Sequence, residues 1–198
     1  MRMRKFAGLT LAVAAVMVIT GCNDMGQVTQ GRVIAYDKES KQVTFIEDKN
    51  THMKEAPIYT TLPPVVFTTP ADKNEMGGHP SVGQRMKLDV DKNEIDIFDI
   101  ATQQFKAIPY TLIERKDHVG KEDPLVKDKK FPIVDRAAKT IQIFSKRQKI
   151  LVTFSLPDEY FSLPDETWAA GDEVRIYYKE KGKALRMMNI TKTDIFKK

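Results

Sequence analysis

Few residues of this 198-residue chain could do metal or nucleophilic chemistry. A single cysteine, Cys22, leaves no partner for an intramolecular disulfide and no material for a cysteine-based zinc cluster. Met76 and His79 share a glycine-rich loop, and His52 directly precedes Met53, a pattern that suits Cu(I). Methionine in alternating apolar patterns, however, is usually a core residue. We therefore assign no metal site and no cofactor, and keep a copper-type carrier only as an alternative.

The candidates for catalysis and ligand binding lie in one proline-flanked loop of the second half. Its adjacent acids, at 158–159 and 165–166, point apart and are typical of a solvated surface rather than of an acid–base pair. No nucleophile motif such as Gly-x-Ser-x-Gly is present, so we predict no catalytic residue and no enzyme. Tyr160, Phe161 and Trp168 could stack on a ligand, or they could close the end of a core.

The N-terminal segment has the layout of a secretory signal. A basic start, Met1-Arg-Met-Arg-Lys5, precedes an uncharged run over residues 7–20. A bilayer span needs roughly 20 apolar residues. This run is shorter and ends at a polar Gly-Cys-Asn-Asp. We expect residues 1–21 to be removed during export.

The end of this segment, Ile19-Thr20-Gly21-Cys22, resembles the lipobox of bacterial lipoproteins. The resemblance implies cleavage between Gly21 and Cys22, a diacylglycerol thioether on Cys22, and acylation of the new amino group. The bilayer is then the first partner, and residues 22–30 form a lipidated tether. The protein is expected to face the periplasm, anchored to the inner or the outer membrane, because several acyl chains anchor stably.

Export changes the charge of the chain. The full sequence has 32 Lys and Arg against 27 Asp and Glu, a net charge of +5. Arg2, Arg4 and Lys5 leave with the signal, which lowers the basic count from 32 to 29 and the net charge to +2. A nearly neutral exported protein gives no reason to expect a nucleic-acid partner.

The exported chain alternates apolar and polar residues with a period of two, which predicts β-strands throughout. The pattern of 36–46 returns at 134–144, with Asp and Lys at matching turn positions, and that of 82–90 returns at 170–178. We interpret this as a tandem duplication. The first copy carries an insertion of about ten residues around 49–61.

Each copy resembles a small β-barrel of the OB-like or SH3-like kind, through its Asp turn, its aliphatic alternation and the Gly-Asp-Glu-Val-Arg-Ile-Tyr-Tyr block of 171–178. We expect an all-β protein with a first unit at 31–114, a linker at 115–130 and a second unit at 131–198. The whole chain resembles an uncharacterised lipoprotein family without an assigned activity. The expected role is a non-enzymatic interaction or structural module of the cell envelope, with an unidentified envelope protein as partner. The alternative is a small-ligand or metal carrier.

Overall fold

The computed structural model describes residues 25–50 and 55–193, and in these ranges the chain is all-β with three short 3-10 helices. The signal sequence, Gly21 and Cys22 lie outside the described residues. The strands are β1 Gln27–Asp37, β2 Gln42–Glu47, β3 Val65–Thr68, β4 Arg85–Asp89, β5 Glu94–Asp99, β6 Gln104–Pro109, β7 Thr111–Lys116, β8 Ile133–Asp135, β9 Thr140–Ser145, β10 Ile150–Ser155, β11 Glu173–Tyr178 and β12 Arg186–Asn189. The helices are Lys73–Glu75, Asp158–Ser162 and Asp165–Thr167. No helix in this part of the chain is long and apolar enough to cross a bilayer.

The strands form three antiparallel sheets, ordered β12-β11-β1-β2-β3, β7-β10-β9-β8 and β4-β5-β6. The five-stranded sheet curls until the Thr68 N–H donates to the Gly182 carbonyl at 2.8 Å and the Ala184 N–H donates to the Thr68 carbonyl at 3.0 Å. No ladder joins β3 to β12, however, and none of the three sheets closes. The all-β prediction is confirmed, whereas the expected OB-like or SH3-like barrels are wrong. The five-stranded sheet curls around its apolar side chains and buries them, although its two edge strands are not joined by a ladder.

The two turns matched in the sequence comparison, after β1 and after β8, are each closed by an aspartate side chain that accepts a backbone N–H. The Asp37 side chain accepts the Glu39 N–H at 2.8 Å, and the Asp135 side chain accepts the Ala138 N–H at 2.8 Å. Lys41 and Lys139, at the ends of these turns, both have left-handed backbone, with φ of 55° and 53°. An aspartate that bonds its own turn and a left-handed closing residue together fix the hairpin register.

Four hydrophobic clusters lie in the described part of the chain, and the two largest form its main cores. A smaller cluster of Ile34, Ile46, Tyr59, Met86 and Phe98 joins the five-stranded sheet to β4 and β5. The five-stranded sheet surrounds the first core, which consists of Val33, Val43, Phe45, Phe67, Val174, Ile176, Ala184 and Met187. The other two sheets share the second core, which includes Leu88, Ile95, Ile97, Ile108, Ile141, Ile143, Val152, Phe154 and Trp168. Tyr110, the one residue between β6 and β7, stacks on Phe154 at 4.5 Å where the chain passes from one sheet to the next.

The two halves of the chain are interleaved in these cores. The β11–β12 hairpin of the second half pairs with β1 of the first half, and β4 and β5 pack on β9 and β10. The β1-β2-β3 meander is therefore completed by β11 and β12, and the β8-β9-β10 meander is completed by β4 and β5, which pack on it. Residues 115–130, expected as a linker, also pack, because Val119 and Val126 are buried against Leu151. Strand β1 begins at Gln27, inside the range expected to be the tether.

The interleaving depends on two extended segments, 81–85 and 169–173, that cross side by side. The Val33 N–H donates to the Asp172 carbonyl at 2.9 Å, and the Arg85 N–H donates to the Ala169 carbonyl at 3.0 Å. At the crossing, a Cβ atom on Gly83 would overlap the Ala169 carbonyl, and one on Gly171 would overlap the Val33 carbonyl. Only glycine leaves room for this approach.

A buried carboxylate secures the crossing. Asp172 Oδ2 accepts hydrogen bonds from the Ser81 N–H at 2.7 Å and the Asn189 side chain at 2.8 Å, and it pairs with Lys192 Nζ at 2.9 Å. Burial pushes the pKa of Asp172 upward, but these hydrogen bonds and Lys192 outweigh that effect, so the net pKa is lowered. The carboxylate therefore favours the folded state at neutral pH, and this contribution is lost as the pH falls through the lowered pKa.

We predict that Gly171→Ala destabilises the protein by about 3 kcal/mol or more, because the new methyl group meets a backbone carbonyl that cannot move aside. Gly120→Ala is the matched control, since a Cβ there meets nothing within 4 Å, and it should change stability by less than about 0.5 kcal/mol. Chemical denaturation of both variants measures the difference. Equal stability of the two would show that the crossing tolerates a side chain.

Candidate functional site

A wide cleft of about 1410 Å³ lies where the sheets meet around the crossing. Its walls include parts of the segments 56–60, 81–88, 105–107, 121–132, 143–148 and 169–173. Nine basic and five acidic side chains line it. The cleft is therefore more positive than residues 22–198 as a whole, whose net charge is +2.

Arg32 of β1 reaches from the five-stranded sheet to β4 beside the cleft. Its Nη1 donates to the carbonyl oxygens of Arg85 at 3.0 Å and Met86 at 2.8 Å. Its guanidinium carbon lies 4.3 Å from the centre of the Tyr59 ring, a cation–π contact. Its Nε is fully buried without a partner among the described residues. Arg32 thus links the five-stranded sheet to β4, and its Nε is a donor without an acceptor among the described residues.

Arg85 is the first residue of β4 and follows the crossing directly. Its Nε donates to the Trp168 carbonyl at 3.0 Å. Within the described ranges its terminal nitrogens have no hydrogen-bond partner, and no carboxylate lies within 4.0 Å of either Arg85 or Arg32. Burial lowers the pKa of Arg85 to about 9, and the charge of Arg32 acts in the same direction. Arg85 remains a cation at neutral pH without an ion-pair partner.

Tyr59 lies within 49–61, the segment that the sequence comparison interprets as an insertion in the first half. Its ring is buried against Ile34, Ile46, Met86 and Phe98, and its hydroxyl is buried without a partner among the described residues. Burial raises the pKa of Tyr59, so the hydroxyl stays neutral. Asp48 orders the start of the insertion, where its Oδ1 accepts the Ile58 N–H at 2.7 Å.

Glu173 lies opposite Arg32 in the β1–β11 register. The Gln30 amide donates to its Oε1 at 3.5 Å, and Arg32 is not within ion-pair distance. Burial raises the pKa of Glu173, against the opposing effect of Arg32 and with the support of Asp48. Glu173 is therefore an acid that folding makes harder to ionise.

The sequence-predicted candidates lie elsewhere. Trp168 and Phe161 are buried in the second core, as the core interpretation predicts, and Tyr160 packs against that core. The acids of 158–159 and 165–166 are exposed, and two of them, Asp158 and Asp165, pair with Lys139 and Arg136.

The proposed soft metal ligands are separated or used in packing. Met76 packs on the first core, whereas the exposed His79 has its Nδ1 2.8 Å from the Tyr36 hydroxyl. His52 and Met53 lie outside the described residues. Within 25–50 and 55–193, no group of three or more His, Cys, Asp or Glu side chains could hold a metal ion.

Sequence reasoning missed Arg32, Arg85 and Tyr59. Two signals were available: Arg85 and Glu173 occupy the same place in the aligned copies with opposite charge, and Tyr59 lies in the insertion. Neither signal indicates that the three residues line one cleft, because they come from β1, β4 and a loop that only the interleaved fold brings together.

The chain is an all-β protein of two interleaved halves with a basic cleft at their crossing. Residues 24–198 match the domain of unknown function DUF4881, and the chain belongs to that family. No curated protein and no solved structure matches the chain.

We predict that Glu173→Gln stabilises the protein at pH 7. The folded state holds the Glu173 proton more tightly than the unfolded chain does, so stability decreases as the pH rises from the ordinary value of 4.5 through the raised pKa. Because water partly screens this half-buried group, we expect a gain of about 1 kcal/mol or less, roughly 2–4 °C in Tm. Thermal unfolding at pH 7 and pH 3.5 measures it.

The gain should vanish at pH 3.5, where the carboxyl group is protonated in both states. Glu159→Gln, at an exposed carboxylate, is the control and should leave Tm unchanged at both pH values. A loss of stability in Glu173→Gln at pH 7 would contradict the prediction.

Proposed function

We propose that this protein is a lipoprotein of the bacterial cell envelope, anchored through Cys22 and facing the periplasm. The support is the order of a basic start, a short apolar run and Ile19-Thr20-Gly21-Cys22. Four residues lie between Cys22 and the first strand residue, Gln27, and the five Cα-to-Cα steps can span at most roughly 17 Å. An acylated Cys22 would therefore hold the folded body close to the bilayer surface.

The two interleaved halves fit a tandem duplication whose copies exchanged their β-hairpins. The supporting observations are the matched turns after β1 and β8 and the matched glycines, Gly83 and Gly171, at the crossing. The insertion that carries Tyr59 then represents a later divergence of the first copy. It adds polar and aromatic surface on one side of the cleft only.

The folded body acts as a non-enzymatic binding module, and the cleft is the observation that carries this proposal. Arg32 and Arg85 line it, and guanidinium groups offer hydrogen-bond donors rather than a base. We expect another component of the envelope to occupy it. A small-ligand carrier is the second candidate, because a concave site with few fixed polar groups also suits a small molecule.

We predict that Cys22→Ser leaves the protein unprocessed or soluble, because the lipid and the cleavage both depend on the thiol. Membrane flotation and the mass of the N-terminal peptide measure this. Asn23→Ser is the control and should leave lipidation and cleavage unchanged. Maturation and membrane flotation of the Cys22→Ser protein would contradict the lipoprotein proposal.

We predict that a photo-crosslinking amino acid at Ala107, an exposed residue of the cleft wall, captures the bound component in cells that make the anchored protein. The matched control is Ala137, which is equally small and exposed but lies in the β8–β9 turn outside the cleft. A protein-sized mass increase at 107 supports the interaction module, and a small increase supports the carrier. Equal capture at both positions, or capture at 137 alone, would contradict binding in the cleft.

A further inference from the structure

Arg85 is a cation that the fold places at the edge of the core without neutralising it. Its backbone N–H and Nε both bond to the segment after the Asp165–Thr167 helix, at Ala169 and Trp168. That leaves two terminal nitrogens with no partner among the described residues, and neither belongs to the fully buried, unpartnered atoms. They are therefore accessible from the cleft that Arg85 lines. An unpaired, half-buried guanidinium costs the fold stability.

Arg32 adds a second guanidinium beside β4, at the wall of the same cleft. Two carbonyl oxygens, on Arg85 and Met86, fix its position, and the Tyr59 ring covers one face. Both arginines lower the free energy of an anion between the sheets, and both are held in place before any ligand arrives. Preorganised donors lose little conformational entropy when they bind.

The insertion of the first half supplies a neutral donor to this region. Tyr59 lies under Arg32, and its hydroxyl has no hydrogen-bond partner in the described part of the chain. A buried hydroxyl without a partner costs stability unless something bonds to it. The hydroxyl is fully buried, so Tyr59 supports Arg32 and leaves ligand contacts to the guanidinium groups.

The surroundings favour a negative ligand, although one carboxylate competes. Glu173 lies opposite Arg32 in the β1–β11 pair but beyond ion-pair distance. The charge of Arg32 lowers the pKa of Glu173, and burial raises it by more. The cleft still has an excess of four basic side chains over acidic ones. Such an excess steers anions into a concave site.

We propose that Arg85 and Arg32 form an oxyanion site that takes a phosphate or carboxylate group of the ligand in the cleft. This inference rests on the proposed binding function and names the chemistry that the cleft recognises. The planar fork of a guanidinium matches two oxygens of either group, which an ammonium cannot do. The oxygens come from a soluble molecule or from a phospholipid headgroup.

Thermal unfolding of the full-length protein in non-ionic detergent tests the site, with Trp168 emission as the signal and ionic strength held constant with chloride. The probes are inorganic phosphate, pyrophosphate and succinate. We expect at least one of them to raise Tm by roughly 5 °C when its concentration exceeds the Kd about a hundredfold. No rise with any probe would overturn the proposal.

Variants separate an anion site from a merely structural arginine. In Arg85→Met the rise should disappear, while Tm in chloride alone stays equal or increases because an unpaired buried charge has been removed. Arg85→Lys should weaken binding roughly tenfold, since it keeps the charge but loses the fork. A lower Tm in chloride together with an unchanged rise would assign Arg85 a structural role only. Arg186→Met, at an exposed arginine paired with Glu75 outside the cleft, is the control that keeps the full rise.

A measurement on the unmutated protein covers the case in which Arg85→Met does not fold. Phenylglyoxal modifies accessible arginines, and peptide mass spectrometry reports each site. The effective probe should slow modification of Arg85 severalfold and leave Arg186 unchanged. Equal protection of both, or of neither, would overturn the proposal.

Two further arms identify the source of the oxyanion. A rise with glycerol phosphate in solution assigns a soluble ligand. A rise only in phosphatidylglycerol vesicles, absent in phosphatidylcholine vesicles and in Arg85→Met, assigns a headgroup. If no anion acts while Ala107 still captures a component, the oxyanion site fails and cleft binding stands. If capture at Ala107 also fails, both proposals fall.

Discussion

The rest of the structure depends on the contact between two backbone segments at Gly83 and Gly171. Neither position has room for a β-carbon, so the chain can pass from each half into the other only where side chains are absent. This passage delivers the β11–β12 hairpin to β1 and the β4–β5 hairpin to the second core. Neither meander of three strands is a sufficient core alone. The crossing therefore couples the two halves into one folding unit, secured by the buried Asp172.

The same crossing creates the site. The segments that cross, 81–85 and 169–173, contribute residues to the wall of the cleft, and Arg32 lines it beside them. Arg85 begins β4 directly after the crossing, and Arg32 and Glu173 face each other across β1 and β11. Two guanidiniums that have no carboxylate partner among the described residues lower the stability of the fold. Residues that cost stability in this way are typical of functional positions. The proposed oxyanion offers the compensation that the described residues lack.

Strand β1 connects the proposed anchor to the cleft. Strand β1 starts five residues after Cys22 and carries Arg32 in its middle. An acylated protein would thus present its cleft near the membrane, which is where a headgroup or a membrane-bound partner is concentrated. The insertion with Tyr59 adds to the same side, so the asymmetry between the halves is concentrated at the proposed ligand position.

The sequence by itself determined the strands, the turns and the proposed export route. Alternation with a period of two, aspartate-closed turns and the residues before Cys22 are local patterns, and local physics is enough to interpret them. It also indicated the core role of Trp168, which the second core bears out. Only the tertiary structure decided which hairpin completes which core, that none of the three sheets closes, and that Arg32, Arg85 and Tyr59 line one cleft. The physical reason is that periodicity fixes which side of a strand is apolar but not which strand lies beside it. That choice depends on a close approach of two distant glycines.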